Sequence, residues 1–221
     1  KNSDQFYAGT LSYNFTAMPS RYVVERNAWS EAASLKQPVG APPNVRALTH
    51  FTRAVGAARS GKPADAKASV DSLAAAKAQL DAGKDTYWAT IVESQRFAAA
   101  SWLALAQADT ANALLYASQG AELEETVEKH PVTPGPLLPA RELQGDLLLQ
   151  LRKYKDALTA YEKSLVREPR RLRSTWGAAR AAELSGNAAV ARARYASLVE
   201  IMSKADAGRE ELAVARRYLG K

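Results

Sequence analysis

The sequence has no cysteine and only two histidines, His50 and His130, far apart along the chain. Without cysteine there is neither a disulfide framework nor a thiolate metal centre. His130 follows Glu122, Glu124, Glu125 and Glu128, but no second histidine stands at ligand spacing. An acidic helix end with a histidine near its C-terminus accounts for that pattern. A glycine-rich phosphate loop, a G-x-S-x-G elbow and an H-E-x-x-H pair are all missing. Adjacent carboxylates such as Glu124–Glu125 and Glu210–Glu211 diverge on a helix and do not work on one atom. These absences predict a non-enzymatic protein with no cofactor and no bound metal. No apolar run reaches the ~18 residues of a membrane span, and the longest, Phe97–Ala108, is too short. The chain opens at Lys1, with no methionine and no signal-like segment, so it reads as a processed protein or an excised fragment. A soluble protein is expected, in the cytoplasm or the periplasm.

Charge of one sign is also in modest supply. The 30 basic and 23 acidic side chains leave +7, with the signs interspersed. One basic cluster stands out: Arg152, Lys153, Lys155, Arg167, Arg170, Arg171 and Arg173. It alternates with Asp156, Glu162 and Glu168 and falls mainly on expected turns. A solvated rim explains it without nucleic acid, and no helix carries a basic face suited to a membrane surface. What the 221 residues do have is alanine and helical periodicity. A chain of this length buries roughly 70% of its unfolded surface, enough for one large or two small cores.

The clearest pattern lies in Pro139–Pro169. Leu143, Leu147 and Leu151 predict one face of a first helix, and Tyr154, Leu158, Tyr161 and Leu165 one face of a second, with a turn at Arg152–Lys153. Gly145 costs about 1 kcal/mol against alanine in mid-helix, which predicts a close partner helix. Ala157 is small where the second helix meets that gap, and Pro169 closes the unit. In Gly145, Tyr154, Ala157, Tyr161 and Pro169 the segment resembles a tetratricopeptide repeat (TPR). The resemblance implies antiparallel helix pairs stacked into a right-handed α-solenoid, and a general role as a platform for protein partners.

The pattern recurs. Ala179, Ala191 and Tyr195 fall where Gly145, Ala157 and Tyr161 fell, and 191 − 157 = 34, one repeat length. Ala32 and Ala66 are also 34 apart (66 − 32), and Trp29 in WSEAA takes the place of Tyr154. The predicted elements begin with a helix over Asn2–Phe15, broken at Met18–Pro19–Ser20, and a short pair around a turn at Arg26–Asn27. The Pro-rich loop Lys36–Pro43 precedes helices over Asn44–Arg59 (N-cap Asn44), Ala64–Ala82, Thr86–Gln107 and Thr110–Lys129, the last with Ala113 as its signature residue. His130–Pro139 holds four prolines and reads as an ordered connector that buries Val132, Leu137 and Leu138. Beyond the Pro139–Pro169 repeat come a pair over Arg173–Met202, turning at Gly186–Asn187, and a lone helix over Arg209–Leu219, polar outside, that closes the stack. The expectation is one all-α domain over 1–221 of about five TPR-like pairs and a C-terminal capping helix, with sub-stacks 1–129 and 140–221 joined by 130–139. The chain also resembles the C-terminal part of longer bacterial TPR proteins.

In that family the first helices line a concave groove. Carried onto this chain, the groove set is Leu48, Phe51, Val55, Arg59, Gln95 and Trp102, then Glu142, Asp146, Gln150, Arg173, Trp176, Arg180 and Glu183. Trp102 and Trp176 would anchor a partner, and Arg173 and Arg180 would pair its carboxylates. Glu142 and Asp146 would repel a C-terminal carboxylate. Against this, aromatics at helical spacing also serve as core, and His50 beside Phe51 reads as a packed or groove-lining residue. The resemblance implies a scaffold that binds a protein or peptide in the groove, monomeric or weakly self-associating, with no nucleic acid and no membrane insertion. The alternative is a sensory or small-ligand-binding helical domain of a larger protein, its ligand in the junction around His130.

Overall fold

A computed structural model describes residues 2–129, 136–206 and 208–220, with side chains from residue 9 onward. Among these residues there are ten α-helices and no strand. They are α1 (Asn2–Glu25), α2 (Pro43–Arg59), α3 (Pro63–Ala82), α4 (Thr86–Ala106), α5 (Thr110–Glu125), α6 (Ala140–Gln150), α7 (Tyr154–Arg167), α8 (Leu172–Leu184), α9 (Ala188–Ile201) and α10 (Glu210–Leu219), with a 3-10 turn at Trp29–Ser34. No helix of the described residues is long and apolar enough to cross a membrane. The chain divides into two compact units, Lys1–Ala140 and Arg141–Lys221.

One turn design recurs at six junctions. Asn27, Gly61, Lys84, Ala108, Arg152 and Gly186 all take left-handed φ, between 53° and 78°. The following residue's N–H reaches back five positions: Ala28 to the Val23 carbonyl (3.0 Å), Lys62 to Ala57 (2.9 Å), Asp85 to Leu80 (2.9 Å), Asp109 to Ala104 (2.8 Å), Lys153 to Leu148 (2.9 Å) and Asn187 to Ala182 (2.8 Å). This is Schellman closure, which satisfies carbonyls the helix end leaves open. The same residue then starts the next helix. Asp85, Asp109 and Asn187 accept from the backbone N–H of Trp88, Asn112 and Val190, so one residue closes a helix and caps its successor. All six turns fall where the sequence predicts them.

In the first unit α2 is central. It packs on α1, the 3-10 turn, α3 and α4, while α3 meets α4 and α4 meets α5. Close approach is made by small residues. A Cβ on Gly56 would strike the Ala32 side chain and the Trp29 backbone, and one on Gly120 would lie 3.0 Å from the Ala98 nitrogen and the Ser94 carbonyl. Ser94 Oγ donates to the Gly120 carbonyl at 2.8 Å, tying α4 to α5. Three local expectations are corrected. The helix does not break at Pro19, because Tyr13, Ala17, Val23 and Val24 are buried on both sides of it. Each contributes on the order of 1–3 kcal/mol, which offsets the ~3 kcal/mol of an interior proline. Asn44 is not the cap of α2: Pro42 holds the cap position in extended conformation and Pro43 starts the helix with φ already set. Helix α5 stops at Glu125, where the Thr126 hydroxyl takes the Leu123 carbonyl at 2.8 Å.

Leu137 and Leu138, at the end of the Pro-rich connector, are buried. The Pro136 carbonyl accepts from Arg21 Nη2 at 3.5 Å, and Glu124 Oε1 accepts from the Ala140 amide at 3.1 Å. These contacts hold the connector's last residues within the first unit. His130 and Val132 lie outside the described residues.

In the second unit α7 meets α8, α8 meets α9, and α9 meets α10. Tyr161 is buried, and its ring lies where a Cβ on Gly145 of α6 would approach to 2.8 Å and one on Gly177 of α8 closer still. The signature alanines Ala32, Ala66, Ala113, Ala157 and Ala191 are all buried. At the end of the chain α10 packs Leu212 and Ala215 onto Tyr195, Leu198 and Met202 and leaves Arg216 and Arg217 exposed.

Left-handed φ costs an L-residue roughly 1–2 kcal/mol and glycine almost nothing. Ala108→Gly is therefore expected to raise the unfolding free energy by about 1 kcal/mol, and Gly186→Ala to lower it by about as much. Urea titrations of the two variants beside wild type read both signs.

Candidate functional site

The first-unit residues expected in the groove are mostly core. Leu48, Phe51, Val55, Gln95 and Trp102 are all buried, Phe51 to 1% exposure and Trp102 to 3%. Helix α2 meets another element on nearly every side, so the stripe through Phe51 has no open face. Arg59 is half-buried, with its guanidinium 4.4 Å from the centroid of Trp29 and 4.1 Å from that of Trp102. A cation between two indole faces gains on the order of 0.5–2 kcal/mol from each. Arg59 thus clamps the 3-10 turn and α4 to the end of α2. His50 is packed beside the Pro-rich loop, its Nε2 2.6 Å from Gln37 Nε2. Burial first, then the positive charges of Arg53 and Arg46, push its pKa below the ordinary histidine value.

The second unit is organised around a buried charge. Glu142 on α6 is fully buried, where the sequence reading has it facing an open groove. Its carboxylate accepts from Arg171 Nε (2.7 Å), Arg171 Nη2 (3.0 Å), Arg173 Nε (3.0 Å) and Ser174 Oγ (2.6 Å). Burial alone would raise its pKa. The charges of Arg171 and Arg173 and the hydrogen bonds from Arg171 and Ser174 instead hold it below the ordinary glutamate value. Arg173 Nη2 also reaches Asp146 at 2.8 Å, and Tyr161 donates its hydroxyl to Asp146 at 2.7 Å. Burial, then Asp146, raises the Tyr161 pKa. Two members of the basic cluster, Arg171 and Arg173, are therefore internal counter-ions rather than a solvated rim. Glu142, neutralised and enclosed, repels nothing that approaches the surface.

Of the expected set, Trp176 and Arg180 remain together on one partly open face of α8. Leu184, 43% exposed, continues the same four-residue stripe. The Trp176 ring packs edge-on against Tyr195 at 6.1 Å, and Arg180 lies 5.8 Å from the Trp176 centroid. Arg180 Nη1 donates to Glu183 at 2.6 Å, and Tyr195 donates to the same carboxylate oxygen at 2.5 Å. Burial, then the bond to Glu183, raises the Tyr195 pKa to about 12. Tyr218 of α10 lies tilted against Tyr195 at 4.6 Å. The face is thus a partly buried indole packed on the core, a guanidinium and an apolar tip. The sequence reading did not include Tyr218 or Leu184: Leu184 continues the four-residue spacing of Trp176 and Arg180 and was open to view in the sequence, whereas the contact of Tyr218 with Tyr195 shows only once α9 and α10 are placed. Gln150, at the end of α6, is exposed.

Two surface clefts lie elsewhere, and neither is lined by a residue of the expected groove set. One of about 250 Å³ is bordered by Trp29, Arg53, Gly56 and Lys62. The other, about 280 Å³, runs between α7 and α9 over Leu165, Val166 and Ile201, with the Glu162–Arg194 and Arg170–Glu200 ion pairs at its rim. Among the described residues no three His, Cys, Asp or Glu side chains gather at metal-binding distance. Compared with known protein families, with curated proteins and with solved structures, the chain finds no match.

Removing one partner of a buried ion pair strands the other charge, so Glu142→Ala is expected to cost about 3–5 kcal/mol at neutral pH. A carboxylate with a depressed folded pKa stabilises above its unfolded value and loses that contribution as pH falls through the folded one. The gap between wild type and variant in urea titrations should accordingly narrow below the ordinary glutamate value of 4.5. His50 acts in the neutral form. Below the unfolded histidine value of 6.5 the unfolded chain takes up its proton first, so stability falls with pH. Thermal melts should show that slope in wild type and a shallower one in His50→Gln.

Proposed function

We propose that the chain is a non-enzymatic interaction scaffold of TPR-like helix pairs, a right-handed α-solenoid closed by α10, that binds a peptide or protein segment. The 34-residue recurrence supports the repeat reading, as do the five buried signature alanines and the common turn. So does Tyr161 lodged against Gly145. The binding assignment is carried by one observation: Trp176, Arg180 and Leu184 share a partly open stripe on α8 while most of the other expected groove residues are buried or internally paired. Tryptophan and arginine are among the residue types most enriched at binding hot spots. Arg180 would exchange its bond to Glu183 for a partner carboxylate, and Leu184 adds an apolar contact.

Truncating a hot-spot residue costs about 2 kcal/mol or more, roughly thirtyfold in affinity. Wild type and the Trp176→Ala/Arg180→Glu variant would be used side by side to capture proteins from a lysate of the source organism, and each captured protein titrated against both by calorimetry. A partner lost by the variant at unchanged helix content is the expected outcome. Equal affinity of every captured protein for both forms would remove α8 from the binding surface.

A further inference from the structure

Helices α1 and α10 present opposite kinds of surface. Helix α10 turns apolar residues inward and leaves Glu210, Arg216 and Arg217 in water, with Arg209 at its cap. Helix α1 is apolar on both sides. Tyr13, Ala17, Val23 and Val24 are buried, yet Leu11, Phe15, Met18 and Tyr22 stand 54%, 65%, 58% and 62% exposed. Their spacing of four, three and four residues is that of a helix–helix seam. The stripe is a second apolar face, separated from the buried one by Asn14, Arg21 and Glu25, and an exposed apolar patch rimmed by polar residues marks an interaction surface.

We propose that this stripe is the interface of a homodimer, in which α1 of one copy packs antiparallel on α1 of a second. Three observations select that occupant. The stripe is self-complementary about a two-fold axis: Leu11 of each copy meets Tyr22 of the other, and Phe15 meets Met18, a favourable sulfur–aromatic pairing. Antiparallel pairing also keeps Arg21, and Arg26 just beyond the end of α1, away from the same residues of the second copy, where a parallel pair would set them side by side. Head-to-tail stacking of α1 on α10 is disfavoured because it would bury Arg216 and Arg217 against apolar side chains. Taking 150–250 Å² for each aromatic and similar areas for Leu11 and Met18, the stripe offers on the order of 500 Å² per copy. Two copies then bury about 1,000 Å², the lower bound of a specific interface, and the association is correspondingly weak.

Sedimentation equilibrium of the full chain, from micromolar to near-millimolar concentration, should give a monomer–dimer equilibrium. Phe15→Glu should raise its dissociation constant about tenfold or more while leaving the circular dichroism spectrum unchanged. Because the chain has no cysteine, orientation is read by introduced thiols. In the antiparallel pair two Leu11 positions lie about 16 Å apart along the axis, beyond the ~6 Å Cα separation of a disulfide. Leu11→Cys and Tyr22→Cys should therefore each stay uncrosslinked alone and form a disulfide-linked dimer when mixed and oxidised. A monomer at every concentration, a dimer indifferent to Phe15→Glu, masses growing beyond the dimer, or ready crosslinking of either single variant would each overturn the proposal.

Discussion

The second unit is spaced by a phenol ring. Tyr161 occupies the volume that side chains on Gly145 and Gly177 would otherwise take, so α6 and α8 close on the ring rather than on each other. That separation brings the start of α8 over α6, where Arg171, Arg173 and Ser174 converge on Glu142. The ring's own hydroxyl fixes Asp146, which in turn orients Arg173. Hydrophobic packing and the buried charge network are consequently one arrangement. A wider gap would strand Glu142 without its counter-ions, and a narrower one would expel the ring. Tyr195, 34 positions on, is buried too, but its ring neighbours are aromatic, Trp176 at 6.1 Å and Tyr218 at 4.6 Å, rather than glycines.

The first unit reaches close packing by another route. Its elements meet through Gly56 against Ala32 of the 3-10 turn and Gly120 against the backbone of α4. Arg59, lodged between Trp29 and Trp102, joins the 3-10 turn and α4 to the end of α2 through a stacked cation.

Much of this was legible in the sequence, and the illegible part has a common cause. Turn positions and signature alanines are local properties: a glycine, an asparagine or a break in periodicity announces them, and the structure has them where they were read. Which face of a helix is covered is not local. Phe51 and Trp102 lie on stripes whose phase is correct, but the number of helices surrounding α2 cannot be counted from its own residues. Glu142 is the sharper case. A glutamate on a helix reads as solvated unless its neutralising partners are seen, and Arg171 and Arg173 stand 29 and 31 positions away, in a segment that itself reads as a basic rim. Pro19 misled in the opposite direction, since a local helix breaker was overridden by tertiary burial on either side.

The uniform turn has a consequence for how such a chain is inherited. Because Arg152 and Gly186 occupy the same left-handed position and Lys153 and Asn187 the same cap, the segment from Lys153 to Gly186 (186 − 153 + 1 = 34 residues) runs from one junction to the next. Its excision by recombination would join Arg152 directly to Asn187 and preserve the turn, but it would remove Arg171, Arg173 and Ser174 and leave Glu142 buried without them. Its duplication would repeat the same junction and keep those partners. The uniform turn thus favours gain of such a segment over its loss.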